Sequence, residues 1–220
     1  MLRKVLLGCG VLSSLLYVAM TIFVAMQWEA YSSASQTISE LSAIGAPTRS
    51  LWVVPATIYT ILVAAFGWGV WTSGGCNRAV RVVGGLIIAY ASLGFLWPFA
   101  PMHLRGTLAA GGGTASDNLH IVLSIVTVFL MLLAIGVAAV AFGTRFRFYS
   151  IASLVLLVAF GGLTFLAAPR IAANLPTPWI GVWERIDIGV FLLWVVVLAV
   201  TLMRRRDTEA ATGRRDPLAA

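Results

Sequence analysis

The sequence predicts an all-α fold: a six-transmembrane-helix bundle with both termini cytoplasmic and a short interfacial helix in the first outer loop. Three observations carry this. Apolar residues make up 60% of the 220-residue chain and charged residues only 10%, with a mean hydropathy of +0.95. A soluble domain carries about 25% charged residues, so a deficit spread over the whole length marks a multi-span membrane protein. The apolar residues gather into six runs, and the basic residues divide unequally between the segments that join them.

The runs cover residues 5–26, 51–71, 82–99, 119–142, 151–168 and 186–203. At about 1.5 Å of rise per residue, each crosses most or all of a hydrocarbon core roughly 30 Å thick. The first run follows Arg3 and Lys4 and imitates a signal peptide, but the apolar stretch before Cys9 is too short for one, so it reads as a retained span. In the first outer loop, Ile38, Leu41 and Ile44 recur every three residues, which suits a short helix in the membrane interface. Thr37 and Glu40 form a capping-box pattern at its start, and Gly45 and Pro47 end it.

In the third run Gly85 and Ala89 are four apart, as are Ala134 and Ala138 in the fourth. Such pairs let helix backbones approach closely. The second outer loop, "PFAPMHLRGTLAAGGGTASDNLH", carries three consecutive glycines that let it fold back over the bundle. Asp117 then stands where a carboxylate caps the fourth span and suits its dipole. The sixth span opens with "GVWERIDIGVFLLW". The domain reading is one membrane domain over residues 1–203 and a disordered basic cytoplasmic tail over 204–220, lying near anionic lipid.

Orientation follows from the basic residues. Arg3, Lys4, Arg78, Arg81, Arg145, Arg147, Arg204, Arg205, Arg206, Arg214 and Arg215 fall on one side, and Arg49, Arg105, Arg170 and Arg185 on the other. The positive-inside rule places the set of eleven, and both termini, in the cytoplasm. Trp28, Trp52, Trp97, Trp179 and Trp183 then form a belt at the outer interface. Arginine supplies 14 of the 15 basic residues, a composition pointing to a GC-rich bacterial genome, and the expected location is the bacterial cytoplasmic (inner) membrane. The net charge of +7 is explained by topology signals in loops and tail and implies no nucleic-acid partner. Cys9 and Cys76 both fall on the cytoplasmic side and are expected to be free thiols.

The polar chemistry collects on the outer side. Both histidines, His103 and His120, lie there with Glu29, Glu40, Asp117, Glu184 and Asp187. The span interiors read as free of Asp, Glu, Lys and Arg, which argues against an ion-coupled transporter with a midplane site. The candidate outer-face cluster is Glu40, His103, Asp117, His120, Glu184 and Arg185. Arg185, a cation at a helix N-terminus, is expected to snorkel to lipid phosphate or to pair with Glu40 or Asp117. Asp117, His120 and Ser124 share one helical stripe, although a membrane serine ordinarily bonds its own helix carbonyl.

The stretches "ISELSAIGAPTRSL", "LWPFAPMHLRG", "DNLHIVLS" and "GVWERIDIGVFLLWVVVLAVTL" together resemble the six-span membrane family called domain of unknown function 998. The likeness covers nearly the whole chain and implies fold and location, not an activity. Many members carry Pro-x-Asp after the third span. Here Pro98-Phe99-Ala100 lacks the acid, and the resemblance then points to His103 as its replacement. Hairpin plan and first-loop motif give a looser likeness to the damage-regulated autophagy modulator family.

Two functions compete. One is a non-catalytic bundle that binds lipid, senses or assembles, with the outer cluster as a clasp between loops; membrane lipids are its partners. The other is a hydrolase acting on lipid or envelope substrate at the outer leaflet. There a divalent metal would be the cofactor, held by His103, Asp117 and His120, with Glu40 a further candidate ligand and an open position for water.

Overall fold

The computed structural model describes residues 1–212. Its elements in chain order are α1 (Leu2–Met26), a 3-10 helix (Ile38–Ser42), α2 (Arg49–Ser73), α3 (Arg78–Gly94), a 3-10 turn (Trp97–Phe99), α4 (Arg105–Ala109), α5 (Ala115–Ala141), α6 (Thr144–Ala172) and α7 (Ile180–Thr212). Six of these helices are long and apolar enough to cross a membrane: Leu2–Met26, Arg49–Ser73, Arg78–Phe99, Ala115–Ala141, Thr144–Ala172 and Ile180–Arg205. The protein is a multi-pass helical membrane protein. The helix expected in the first loop is present as the five-residue 3-10 helix.

The last two spans are longer at both ends than their apolar runs. Gly143 alone separates the N-terminal end of α6 from Phe142, so the helix takes in Arg145 and Arg147. At the other end α7 begins at Ile180, six residues before its apolar run. It also continues through residues 204–212; the part of the expected tail from 213 to 220 lies outside the described residues.

The spans pack in sequence order around a ring that closes where α7 meets α1. Alternate connections therefore gather at one end, the loop face, formed by the α1–α2, α3–α5 and α6–α7 segments. The start of α1 and the end of α7 lie at the other end. Helix α7 is the most enclosed, with 44% of its span window buried, and α6 the least, at 11%. Phe191, Trp194 and Leu198 of α7 accordingly meet Phe66, Ile87 and Ile135 in one apolar core, whereas Val155, Val158, Phe165 and Leu166 of α6 stand exposed as a lipid-facing surface.

Most polar side chains inside the bundle are satisfied, as a medium without water requires; Thr127 Oγ1, the Tyr149 hydroxyl and Asp187 Oδ1 are buried exceptions. The hydroxyls of Thr21, Thr57 and Thr201 donate to carbonyls one turn back. Ser14 donates to Gly10 O and to Leu192 O, joining α1 to α7, and Trp194 Nε1 donates to Ser150 Oγ at 3.2 Å. Close approach of α2 and α3 rests chiefly on Gly84, one position from the expected Gly85. A Cβ at Gly84 would fall on the Trp71 backbone, whereas one at Gly85 would meet only the Trp71 ring. Ala134 and Ala138 are both buried.

Candidate functional site

On the loop face four arginines and three carboxylates bind the connecting segments into one body. Glu40 lies at the centre and has no exposed surface. Its Oε2 accepts from Thr37 N at 2.8 Å and from Thr37 Oγ1 at 3.0 Å, so the carboxylate reaches back over its own 3-10 turn. Arg105, at the start of α4, grips the same carboxylate in a fork: Nε to Oε1 at 2.5 Å and one η nitrogen to Oε2 at 2.8 Å. The guanidinium also donates to Ser35 O (2.8 Å) and to Thr177 Oγ1 (2.6 Å). One side chain thereby ties together all three connections.

Arg185 does not take the carboxylate partner expected of it. It donates to the carbonyls of Ser33 (2.8 Å), Gln36 (3.2 Å) and Gly181 (2.9 Å) and to the Tyr31 hydroxyl at 2.7 Å. The reason is position: Arg185 lies beneath the carbonyl-rich turn of residues 31–37, while Arg105 enters from the opposite loop and reaches Glu40 first. The Tyr31 hydroxyl is pushed up to about 12 by burial, against the opposing effects of its hydrogen bond and charge contact with Arg185. It therefore stays protonated and donates to Thr37 O at 2.8 Å.

The α1–α2 and α3–α5 connections also meet through backbone, where Ile44 N donates to Met102 O at 2.7 Å. Arg49 adds bonds to Ser42 O and Pro98 O, and Arg170 to Pro176 O. All four basic residues of the sparsely charged side are thus carbonyl binders.

Asp117 has two duties. As the last residue of a Thr114-Ala115-Ser116-Asp117 capping box, it accepts from Thr114 N at 2.8 Å. It also accepts from His103 twice, Oδ1 from the backbone N at 2.7 Å and Oδ2 from Nδ1 at 2.8 Å. That pairing leaves His103 Nε2 without a hydrogen-bond partner among the described residues. His120 lies one turn away from Asp117 but is not brought to the pair. It is buried, its Nδ1 donates to Ala100 O at 2.9 Å, and its ring stands edge-on to Trp97 at 4.9 Å. Ala100, where the family resemblance places an acid, therefore serves through its carbonyl. Ser124 Oγ donates to His120 O, the ordinary behaviour of a helix serine.

No three His, Cys, Asp or Glu side chains among the described residues are grouped so as to hold a metal ion. His103, Asp117 and His120, the expected ligand set, divide into a hydrogen-bonded pair and a separate histidine.

The sixth span also corrects the expectation of charge-free interiors. Asp187 already lies within the apolar run, and the helix start at Ile180 takes in Glu184 as well. Glu184 Oε2 accepts from the Ile38 N–H, which fastens α7 to the 3-10 turn. Asp187, about 10 Å along the axis from Ile180, is 6% exposed, and its Oδ1 has no partner among the described residues. Gly161 of α6 is what faces it. A buried carboxylate without a donor is a cost to the fold. Asp187→Asn removes the charge at constant shape and is expected to raise the unfolding temperature in detergent; a fall would show that the carboxylate has a stabilising partner.

The model of one family, described as "Protein of unknown function (DUF998)", matches residues 11–201 of this chain. The chain belongs to the DUF998 family. The matched segment of this DUF998 protein runs from within the first membrane helix to within the last and includes every residue of the clasp. No curated protein and no solved structure matches it.

Arg105 is the central residue that the sequence did not single out. Its one sequence signal is shared with Arg49, Arg170 and Arg185: each is an arginine on the side that the positive-inside rule leaves poor in them.

Proposed function

We propose that this protein is a non-catalytic membrane bundle whose clasped loops form a fixed surface for binding membrane lipid. The observation that carries the reading is the state of Glu40: a carboxylate with no exposed surface, held by a forked arginine and its own turn, has nothing left to offer a substrate. Asp117 is similarly committed to a helix cap and to His103. We place the clasp on the outer side of a bacterial cytoplasmic membrane, with both termini inside. Support for this comes from the division of basic residues, eleven against four.

A hydrolase is the second reading, favoured by one observation. Asp117 holds His103 by Nδ1 and leaves Nε2 open, the arrangement of an oriented general base.

Complementation separates the two. In cells lacking the protein, wild-type and His103→Ala chains are expected to restore the same envelope lipid profile, whereas Arg105→Ala restores neither the profile nor the folded yield. A His103→Ala chain that folds with wild-type stability but leaves a lipid unconverted would make the protein an enzyme.

A further inference from the structure

The α6–α7 connection, with Ser35 and Arg105, lines a cavity of about 460 Å³ that opens on the loop face. We infer that this cavity binds a phosphate group, that of a phospholipid whose acyl chains lie against α6. The inference rests on the lipid-binding reading above and gives it a ligand class and a place.

Charge and hydrogen-bond supply decide the ligand class. The cavity is lined by Ser35, Arg105, Asn174, Leu175, Thr177 and two prolines, with no carboxylate among them. Glu40 lies behind Arg105, sealed from the opening. Arg105 has five N–H groups, and its bonds to Glu40, Ser35 and Thr177 leave one η N–H unmatched. Arg170 is exposed and tied to the lining through its Nε, which donates to Pro176 O, and its η nitrogens make no hydrogen bond among the described residues. The Asn174 side-chain amide makes no hydrogen bond among the described residues. The lining thus supplies Arg105 and Asn174 as donors, with Arg170 bonded to it and no carboxylate in it, and planar guanidinium groups favour phosphate oxygens.

Placement decides in favour of a lipid source. The cavity lies where α6 ends at Ala172 and α7 begins at Ile180, the level at which two membrane spans leave the hydrocarbon core. Leu175 in the lining and Trp179 nearby in the chain are 48% and 58% exposed, and Phe165 and Leu166 in the last turns of α6 are exposed as well. A phosphate in the cavity would leave its glycerol and acyl chains to these apolar side chains. The backbone supports the shape: Asn174 holds a positive φ of 50°, which turns the chain sharply after α6.

The test uses the full chain in an uncharged detergent with three probes: dihexanoyl phosphatidylglycerol, inorganic phosphate and dihexanoylglycerol. The phosphatidylglycerol is expected to raise the unfolding temperature, and dihexanoylglycerol to leave it unchanged. Arg170→Ala should require roughly tenfold more phosphatidylglycerol for the same shift, a loss of the size of one charge-assisted contact. Arg170→Lys should fall between, and Asn174→Gly, which keeps the positive φ, should also weaken binding. Inorganic phosphate acting as well as the lipid, with the same Arg170 dependence, would retain the phosphate site and overturn its lipid source. Equal shifts from dihexanoylglycerol, or unchanged affinity in both Arg170→Ala and Asn174→Gly, would overturn the site. If native mass spectrometry still finds phospholipid on those variants, the lipid-binding reading survives the loss of this cavity. If wild type carries none and answers to no probe, both fall.

Discussion

Arg105→Ala and Glu40→Ala are each expected to lower bundle stability by about 3–5 kcal/mol, the usual cost of leaving one member of a buried ion pair alone. The effect is large because neither side chain has another ion-pair partner among the described residues. Glu40 is fully buried and Arg105 side-chain exposure is 15%. Removing Arg105 strands the Glu40 carboxylate and also frees Ser35 O and Thr177 Oγ1, so all three connections lose a tie. The double variant Glu40→Ala/Arg105→Ala should lose less than the sum of the two, since the second substitution removes the charge that the first left stranded. Thermal unfolding in detergent with a double-mutant cycle reads this directly, and strictly additive losses would mean the pair is not formed.

Gly181→Ala is the second large effect, expected to cost about 3 kcal/mol, at the upper end of ordinary overpacking. A Cβ at position 181 would fall on the carbonyl oxygens of Ser33 and Gln36, and also against Arg185. Those carbonyls belong to the turn that Arg185 binds and that Gly181 N itself supports by donating to Ala34 O at 2.9 Å. The α7 N-terminus and the α1–α2 connection would have to separate, because both clashing groups are backbone. Proteolysis of the loop face should therefore quicken in Gly181→Ala, while Gly189→Ala, whose Cβ would meet nothing, should behave as wild type. Equal proteolysis of the two would show that α7 does not dock so closely.

Two carboxylates show how one element can be legible and its neighbour not. Glu40 follows Thr37 by three residues, so its link to the turn is a local pattern, visible in the sequence and present in the structure. Its second partner, Arg105, lies 65 residues away, and no spacing rule relates them. Asp117 behaves likewise. Its capping role is local, whereas its bond to His103 depends on how a triple-glycine segment folds back. His120 shares a helix face with Asp117, but a shared face says nothing of what packs on it, and the Ala100 carbonyl arrived there instead. Arg185 was misassigned for the same reason: a cation predicts an acceptor but not which one, and unpaired carbonyls of a nearby turn serve as well as a carboxylate.

The sequence by itself determined that six helices cross a membrane, in what order and where most of them begin. A span's hydrophobicity is a sum over neighbouring residues, and a lipid environment forces such a run to satisfy its own backbone as helix. Local caps are legible on the same ground. Only the structure decided that the helices close into a ring, that the last span reaches back to include Glu184, and that Arg105 rather than Arg185 holds Glu40. These depend on contacts between residues far apart in the chain. The physical reason is that hydrogen-bond chemistry constrains the kind of partner, while only packing brings a particular partner within reach.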